Sequence, residues 1–95
     1  ASAKAAIEGL TVTLAAEFSP SIRVNCIAPS LTDSKISQSM LKSEVVAEAL
    51  AKAHPLKRLG EGKDSAALAN FLLSDESSWV TGQIIGVDGG RSALS

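Results

Sequence analysis

The sequence predicts an α/β fold with a parallel sheet, and three observations carry this prediction. Helical and β-rich segments follow one another in the order helix, strand, helix, helix, strand, which is typical of helices layered on a sheet. The first β-rich segment, IRVNCIA at 22–28, contains the Ile, Val and Cys residues typical of a buried parallel strand. Aromatic residues make up only 3% of the chain, so small aliphatic side chains must form the core.

The first helix is predicted over residues 3–18. It has an apolar stripe and a second face of small residues, which predicts packing on a sheet and on another helix. The stripe consists of Ile7, Leu10, Leu14 and Phe18, and the small face of Ala6, Gly9, Thr13 and Ala16. Ser19-Pro20-Ser21 ends this helix.

Four further elements follow in order. The first is a strand over 22–28 that Pro29-Ser30 closes, and the second is an amphipathic helix that Pro55 stops. The third is a helix capped by Asp64 or Ser65 that runs to about Leu73. The fourth is a strand over Gln83–Val87, which the turn Asp88-Gly89-Gly90 follows. Two strands alone do not form a stable open parallel sheet. We therefore expect residues 1–95 to be the C-terminal portion of one larger α/β domain, incomplete as written.

Composition limits the function classes. A net charge of −1 argues against nucleic acid and anionic membrane as partners, and no apolar run approaches the ~20 residues of a membrane span. One cysteine and one histidine form neither a disulfide framework nor a metal site, so no metal is expected. We expect a cytoplasmic protein.

Lys4 is out of place as a stabilising residue. It lies in the first turn of the predicted helix, where the helix dipole disfavours a cation. Glu8 stands four residues later, in the weaker order for an ion pair. A solvated lysine paired with Glu8 is the ordinary interpretation, and a binding role is the alternative.

Three stretches carry a resemblance to a known family: SAKAAIEGLTVTLAAEF, IRVNCIAPSLTDS and RLGEGKDSAALANFLLSDESSWVTGQIIGVDGG. In this order and spacing the chain resembles the C-terminal part of a short-chain dehydrogenase/reductase, and within that family the 3-oxoacyl-(acyl carrier protein) reductases. The resemblance implies a Rossmann-type sheet, NAD or NADP as cofactor, and hydride transfer between a carbonyl and an alcohol. It also implies a homodimer or homotetramer with a small-molecule carbonyl or alcohol substrate.

The resemblance places Lys4 on the family's catalytic lysine. That lysine contacts the nicotinamide ribose hydroxyls and lowers the pKa of a tyrosine four residues earlier, which here would stand immediately before Ala1. We therefore expect the 95-residue chain alone to be inactive. The competing hypothesis is a non-catalytic remnant that retains only an oligomerisation surface.

The segment after the first strand corresponds to the family's nicotinamide-binding loop. The positions concerned are Pro29, Ser30, Leu31, Thr32 and Ser34, with serine at position 30 where the family usually has glycine. The same residues could instead form a turn that caps the next helix. Residues 31–55 correspond to the substrate lid, although an amphipathic helix of this kind more often covers a core.

Several other residues are predicted to be structural. Asn25 is expected to be a satisfied amide, Cys26 an inert thiol, His54 a helix-end residue and Trp79 a cover over the core. Arg58 and Arg91 are expected to be surface or intersubunit charges, with a phosphate contact as the alternative for either.

Overall fold

The helices and strands follow the predicted order. The computed structural model describes residues 2–30 and 43–94. Its elements are α1 (Ser2–Phe18), β1 (Cys26–Pro29), α2 (Glu44–Lys52), α3 (Gly62–Leu72), a 3-10 helix (Asp75–Ser77), β2 (Ile84–Val87) and α4 (Arg91–Leu94). Neither the 3-10 helix nor α4 was predicted, because three or four residues are too few for a periodic pattern.

The two strands form a parallel pair. The amide of Cys26 donates to Gln83 O over 2.8 Å, and the amide of Ser30 donates to Val87 O over 3.2 Å. Four residues separate these bonds along each strand, and both strands advance in the same direction, which is the parallel pattern. The carboxyl ends of β1 and β2 therefore lie side by side.

The first strand begins later than predicted. Residues 22–25 lie outside β1, where the Gly82 amide donates to Val24 O over 2.8 Å and side chains make further hydrogen bonds. The Val24 amide donates to Thr81 Oγ1 over 3.1 Å, and the Asn25 side chain bonds to Val80 O and to the Gln83 amide. The prediction that Asn25 is a satisfied structural amide is confirmed.

The chain divides into two compact units. The first comprises residues 1–27 and 68–85, and the second comprises residues 28–67 and 86–95. In the first unit Thr11 and Ala15 are the buried residues of α1, and Gly82, at φ +73, comes so close that a Cβ there would lie 3.6 Å from Ala15 Cβ. A small residue facing a glycine thus allows this close approach.

The predicted apolar stripe of α1 is not buried. Ile7 and Leu10 are 56% and 55% exposed, and Phe18 is also exposed. Trp79 is 99% exposed, so the prediction that it covers the core is wrong. The 3.6-residue periodicity identified a helix correctly, but the buried face of α1 is instead the i, i+4 pair Thr11 and Ala15.

The helix α3 begins at Gly62, before both predicted caps, Asp64 and Ser65. Asp64, its third residue, accepts a hydrogen bond from the Glu61 amide over 2.7 Å. An acidic side chain at this position that bonds back to the residue before the helix forms half of a capping box. Asp64 therefore caps α3 from inside the helix.

Candidate functional site

The candidate site lies in the second unit, at the carboxyl end of the strand pair. Pro29 ends β1 and Ser30 follows it, while Val87 ends β2 and Asp88 follows it. Ligands of open α/β sheets bind beyond the carboxyl ends of the strands. The resemblance and the topology thus point to the same edge of the sheet.

Ser30 faces a buried histidine. Its Oγ lies 2.9 Å from Nε2 of His54, whose ring is 2% exposed. Nδ1 of the same ring lies 2.8 Å from Leu50 O, in the last turn of α2. The prediction that His54 belongs to a helix end is confirmed, since its ring bonds to one of the last carbonyls. The contact with Ser30 was not predicted.

Two glycines allow the segment after β2 to pack closely on residues 54–56. Gly89 and Gly90 have φ values of +59 and +87, and Gly89 O accepts a hydrogen bond from the Leu56 amide over 3.1 Å. A Cβ on Gly90 would lie 3.0 Å from Leu94 Cδ1 and 3.3 Å from the Pro55 ring. The positive φ favours glycine at position 90, and the Pro55 ring leaves little room for a side chain there.

Asp88 organises the turn that follows β2. Its carboxylate accepts hydrogen bonds from the Gly90 amide over 3.0 Å and from the Ser92 amide over 3.2 Å. The hydrogen bond from the Ser92 side chain, followed by these backbone bonds, lowers the pKa of Asp88 below its usual value. Asp88 is therefore an ionised acceptor at neutral pH.

A cavity of about 640 Å³ opens in this unit. Its wall includes Ser30 and His54, the turn after β2, and residues of the loop before α3. The cavity is therefore lined by serine hydroxyls, glycine backbone and charged side chains. The wall also includes Leu56, Val87 and Ala93 and exposes more apolar than polar surface, as ligand pockets with a few polar groups generally do.

Arg58 forms an ion pair with Asp64. Its guanidinium donates to both carboxylate oxygens of Asp64, over 2.9 and 3.0 Å. The hydrogen bond from Arg58, followed by that from the Glu61 amide, lowers the pKa of Asp64 to about 2. Arg58 is thus a surface charge, as one of its predicted roles proposed, and its donors to Asp64 hold the start of α3.

Lys4 lies in the first unit, in the first turn of α1, and is exposed. Across residues 2–30 and 43–94, the ion pairs join Arg58 to Asp64 and Lys63 to Glu61. Lys4 is exposed, as the ordinary interpretation expects, but it forms no ion pair with Glu8 in this structure. The ammonium of Lys4 keeps its three N–H donors for other partners.

The remaining predicted site residues, Leu31, Thr32 and Ser34, lie outside the described residues, as do the first positions of the predicted lid, 31–42. The described part of that lid contains α2, whose N-cap Ser43 accepts a hydrogen bond from the Val46 amide over 3.3 Å. In the described part of the chain no group of three or more His, Cys, Asp or Glu side chains could hold a metal ion. No described helix is long and apolar enough to span a membrane.

The fold and this edge of the sheet match one protein family. A family model described as enoyl-(acyl carrier protein) reductase matches residues 1–92. The chain belongs to the short-chain dehydrogenase/reductase family. It is 46% identical over 89 residues to a short-chain type dehydrogenase/reductase of Sinorhizobium fredii. It is 39% identical over 87 residues to tropinone reductase-like 3 of Erythroxylum coca.

Solved structures of the family share the fold. The chain superposes on a short-chain type dehydrogenase/reductase from Mycobacterium ulcerans with a TM-score of 0.81 at 42% identity, covering 93% of this chain and 32% of that one. It matches 4-hydroxyisoleucine dehydrogenase complexed with NADH (TM-score 0.86, 28% identity, coverage 97% and 38%). It also matches gluconate 5-dehydrogenase from Burkholderia cenocepacia with NADP and tartrate (TM-score 0.84, 28% identity, coverage 97% and 36%).

The matched region is part of a longer chain in these relatives. The alignments cover 93% and 92% of this chain but 35% and 34% of the Sinorhizobium and Erythroxylum proteins. The chain therefore spans about one third of the length of the curated relatives it matches. The parallel strand pair corresponds to part of a Rossmann-type sheet, as the sequence predicted.

Proposed function

We propose that the full-length protein is an NAD(P)-dependent oxidoreductase that interconverts a carbonyl and an alcohol by hydride transfer. The observation that carries this proposal is Lys4, an exposed cation in the first turn of α1 with no ion pair to Glu8. A cation at a helix N-terminus interacts unfavourably with the helix dipole, so helix stability does not account for Lys4. Lys4 stands at the family's catalytic lysine, and this supplies the role.

Lys4 fits a nicotinamide cofactor chemically. Its ammonium has three donors and no acceptor, which suits the hydroxyl oxygens of a ribose. Its positive charge also favours the phenolate of the family tyrosine, so a proton moves more readily at that phenolic oxygen. The cofactor itself supplies the hydride chemistry when it is bound.

The segment from Pro29 would line the nicotinamide. Ser30 uses its amide on Val87 O and its hydroxyl on His54, so its contribution is to hold the loop in place. Following the family pattern, the backbone around Thr32 and the hydroxyl of Ser34 would bind the carboxamide, with Leu31 beside them. These assignments are proposals that rest on the positions of the residues after β1.

The names of the matched proteins support a redox reaction without selecting a substrate. Those proteins are dehydrogenases or reductases by name, and the substrates in their names include gluconate and 4-hydroxyisoleucine. The description of the family model names an enoyl reductase instead. Because the Pro29 loop resembles the carbonyl-reducing branch, we favour a carbonyl over an enoyl substrate.

The test is a cofactor and substrate screen on the full-length protein. NADH and NADPH are each titrated by fluorescence, and turnover is then measured with a panel of ketones, aldehydes and one enoyl thioester. We expect binding of at least one cofactor and reduction of a carbonyl. Binding of neither cofactor would refute the proposal. Exclusive reduction of the enoyl thioester would identify the protein as an enoyl reductase instead.

The 95-residue chain by itself is proposed to be inactive, because it contains no tyrosine to exchange the proton. An NADH and NADPH oxidation assay of this chain with the same panel tests the point. Turnover above the buffer rate would show that another group replaces the tyrosine. Turnover by the full-length protein is the matching positive control.

Assembly is the second candidate function. The exposed apolar stripe of α1, which includes Ile7, Leu10 and Phe18, favours it, since such side chains are usually covered in a contact. The expected assembly is a homodimer or homotetramer. Sedimentation velocity of the full-length protein measures this, and an Ile7→Glu variant that stays fully assembled would exclude the stripe as the interface.

A further inference from the structure

One buried titratable side chain has no part in the proposed chemistry, yet it contacts the loop that does. His54 is 2% exposed, and its Nε2 lies 2.9 Å from the hydroxyl of Ser30. Ser30 immediately follows β1, where we place the nicotinamide. Only Ser30 therefore separates the histidine ring from the proposed position of the cofactor.

The partners of the ring define its tautomer. Nδ1 lies 2.8 Å from Leu50 O, and a carbonyl can only accept, so Nδ1 carries the proton. In the neutral ring Nε2 is then an acceptor, and the hydroxyl of Ser30 donates to it. Leu50 thus orients the ring, and the ring in turn orients Ser30.

Ser30, which follows β1, is held from two directions. The Ser30 amide donates to Val87 O over 3.2 Å, which ties the backbone to β2. The Ser30 hydroxyl is bound to His54, and the Leu56 amide close to that histidine donates to Gly89 O. Since the amide and the hydroxyl proton of Ser30 are both engaged, neither donor is free for a cofactor, and their effect is to place the backbone.

We propose that His54 is a positioning residue for the cofactor site, acting through Ser30. The inference rests on the proposed function, because it assumes that a nicotinamide binds beside this loop. Where the family usually has glycine, the Ser30 hydroxyl gives His54 a bond to the residue that follows β1, and this bond holds Ser30 in one rotamer. Loss of that partner would leave the loop free to adopt other arrangements and would weaken cofactor binding.

Two amide substitutions separate the two bonds of the ring. In His54→Asn the side-chain amide occupies the place of Nδ1 and can still donate to Leu50 O, but nothing reaches Ser30. In His54→Gln the side-chain oxygen reaches the place of Nε2 and can accept from Ser30. Ser30→Ala removes the same contact from the other side without leaving a ring-sized cavity.

Cofactor dissociation constants are measured on the full-length protein well below its unfolding temperature. We expect His54→Asn and Ser30→Ala each to raise the dissociation constant by roughly fivefold, the equivalent of one neutral hydrogen bond. The double variant should be no worse than either single one, because both remove one interaction. His54→Gln should restore affinity to within about twofold, since it keeps that bond.

Other results would overturn the inference. If the two single effects add, or if His54→Gln binds as weakly as His54→Asn, the ring acts as packing only. If all variants bind like the wild type, His54 has no influence on the cofactor. Ser78→Ala, an exposed serine in the first unit, is the control and should leave affinity unchanged. A wild-type protein that binds neither NADH nor NADPH would refute the proposed function itself, which these variants do not test.

Discussion

The guanidinium of Arg23 donates to the hydroxyl of Ser77 over 3.0 Å, and Ser77 is buried. The same guanidinium reaches the carbonyls of Leu72, Ser74 and Val80, over 2.9, 3.2 and 3.2 Å. Leu72 is the last residue of α3, where carbonyls lack helical partners. One side chain thus donates to carbonyls at and just after the end of that helix and to a third carbonyl, Val80 O, ahead of β2.

Replacing Arg23 should destabilise the protein. Arg23→Met leaves those carbonyls and the Ser77 hydroxyl with fewer donors, so we expect the free energy of unfolding to fall by roughly 1–3 kcal/mol. The free energy of unfolding of Arg23→Lys should lie between those of the wild type and Arg23→Met, because an ammonium keeps a donor but cannot span the same acceptors as a planar guanidinium. Urea unfolding of the full-length protein measures both. Lys63→Met, which removes an exposed cation, should change little, and equal effects of Arg23→Met and Lys63→Met would contradict the prediction.

The ion pair between Arg58 and Asp64 should make stability depend on acid pH. The pKa of Asp64 is about 2 in the folded protein, below its ordinary value of 3.8, so the folded state favours the ionised form. This contribution is fully present above about pH 4 and is lost as the pH falls toward 2. Asp64→Asn should lower stability at pH 7 and flatten its dependence on pH between about 4 and 2. Identical pH profiles for the variant and the wild type would show that Asp64 does not contribute.

Gly90 should not tolerate a side chain. An alanine would have to adopt φ +87 with its Cβ 3.0 Å from Leu94 Cδ1, so Gly90→Ala should cost about 1–3 kcal/mol of unfolding free energy. Gly62→Ala is the matched control, since a Cβ there meets nothing within 4 Å, and it should be neutral or slightly stabilising. Thermal unfolding compares the two. A Gly90→Ala protein as stable as Gly62→Ala would mean that the turn after β2 rearranges without cost.

Lys4 should affect catalysis more than stability. Lys4→Met removes a cation from the N-terminal turn of α1, so the helix should be unchanged or slightly more stable. Under the proposed function, kcat/KM should fall by about 10²-fold or more, in keeping with the loss of acid–base assistance. Steady-state kinetics of the full-length protein, beside its unfolding temperature, test both parts. A Lys4→Met enzyme with wild-type kcat/KM would exclude the catalytic role, and Glu8→Gln is the control for the charge balance of the helix.

Local patterns predicted the elements well and their packing poorly. The helix over 3–18 and the strand over 83–87 agree with α1 and β2 within one residue at each end. The predicted apolar stripe is exposed, and Trp79 covers nothing in the part of the chain that the structure describes. Periodicity reports which side chains share a face, but the neighbours that cover that face come from elsewhere in the chain.

The sequence by itself determined the α/β order, the glycines of the turn after β2 and the family. It also led to the hypothesis that Lys4 binds the cofactor. These follow from short-range patterns and motif spacing. The tertiary structure decided that Ser30 binds His54, 24 residues away, and that Arg23 closes the end of α3, about 50 residues away. Such contacts depend on two distant segments meeting at one edge of a sheet or one helix end. No local periodicity encodes that meeting, because its free energy comes from groups that are neighbours only after folding.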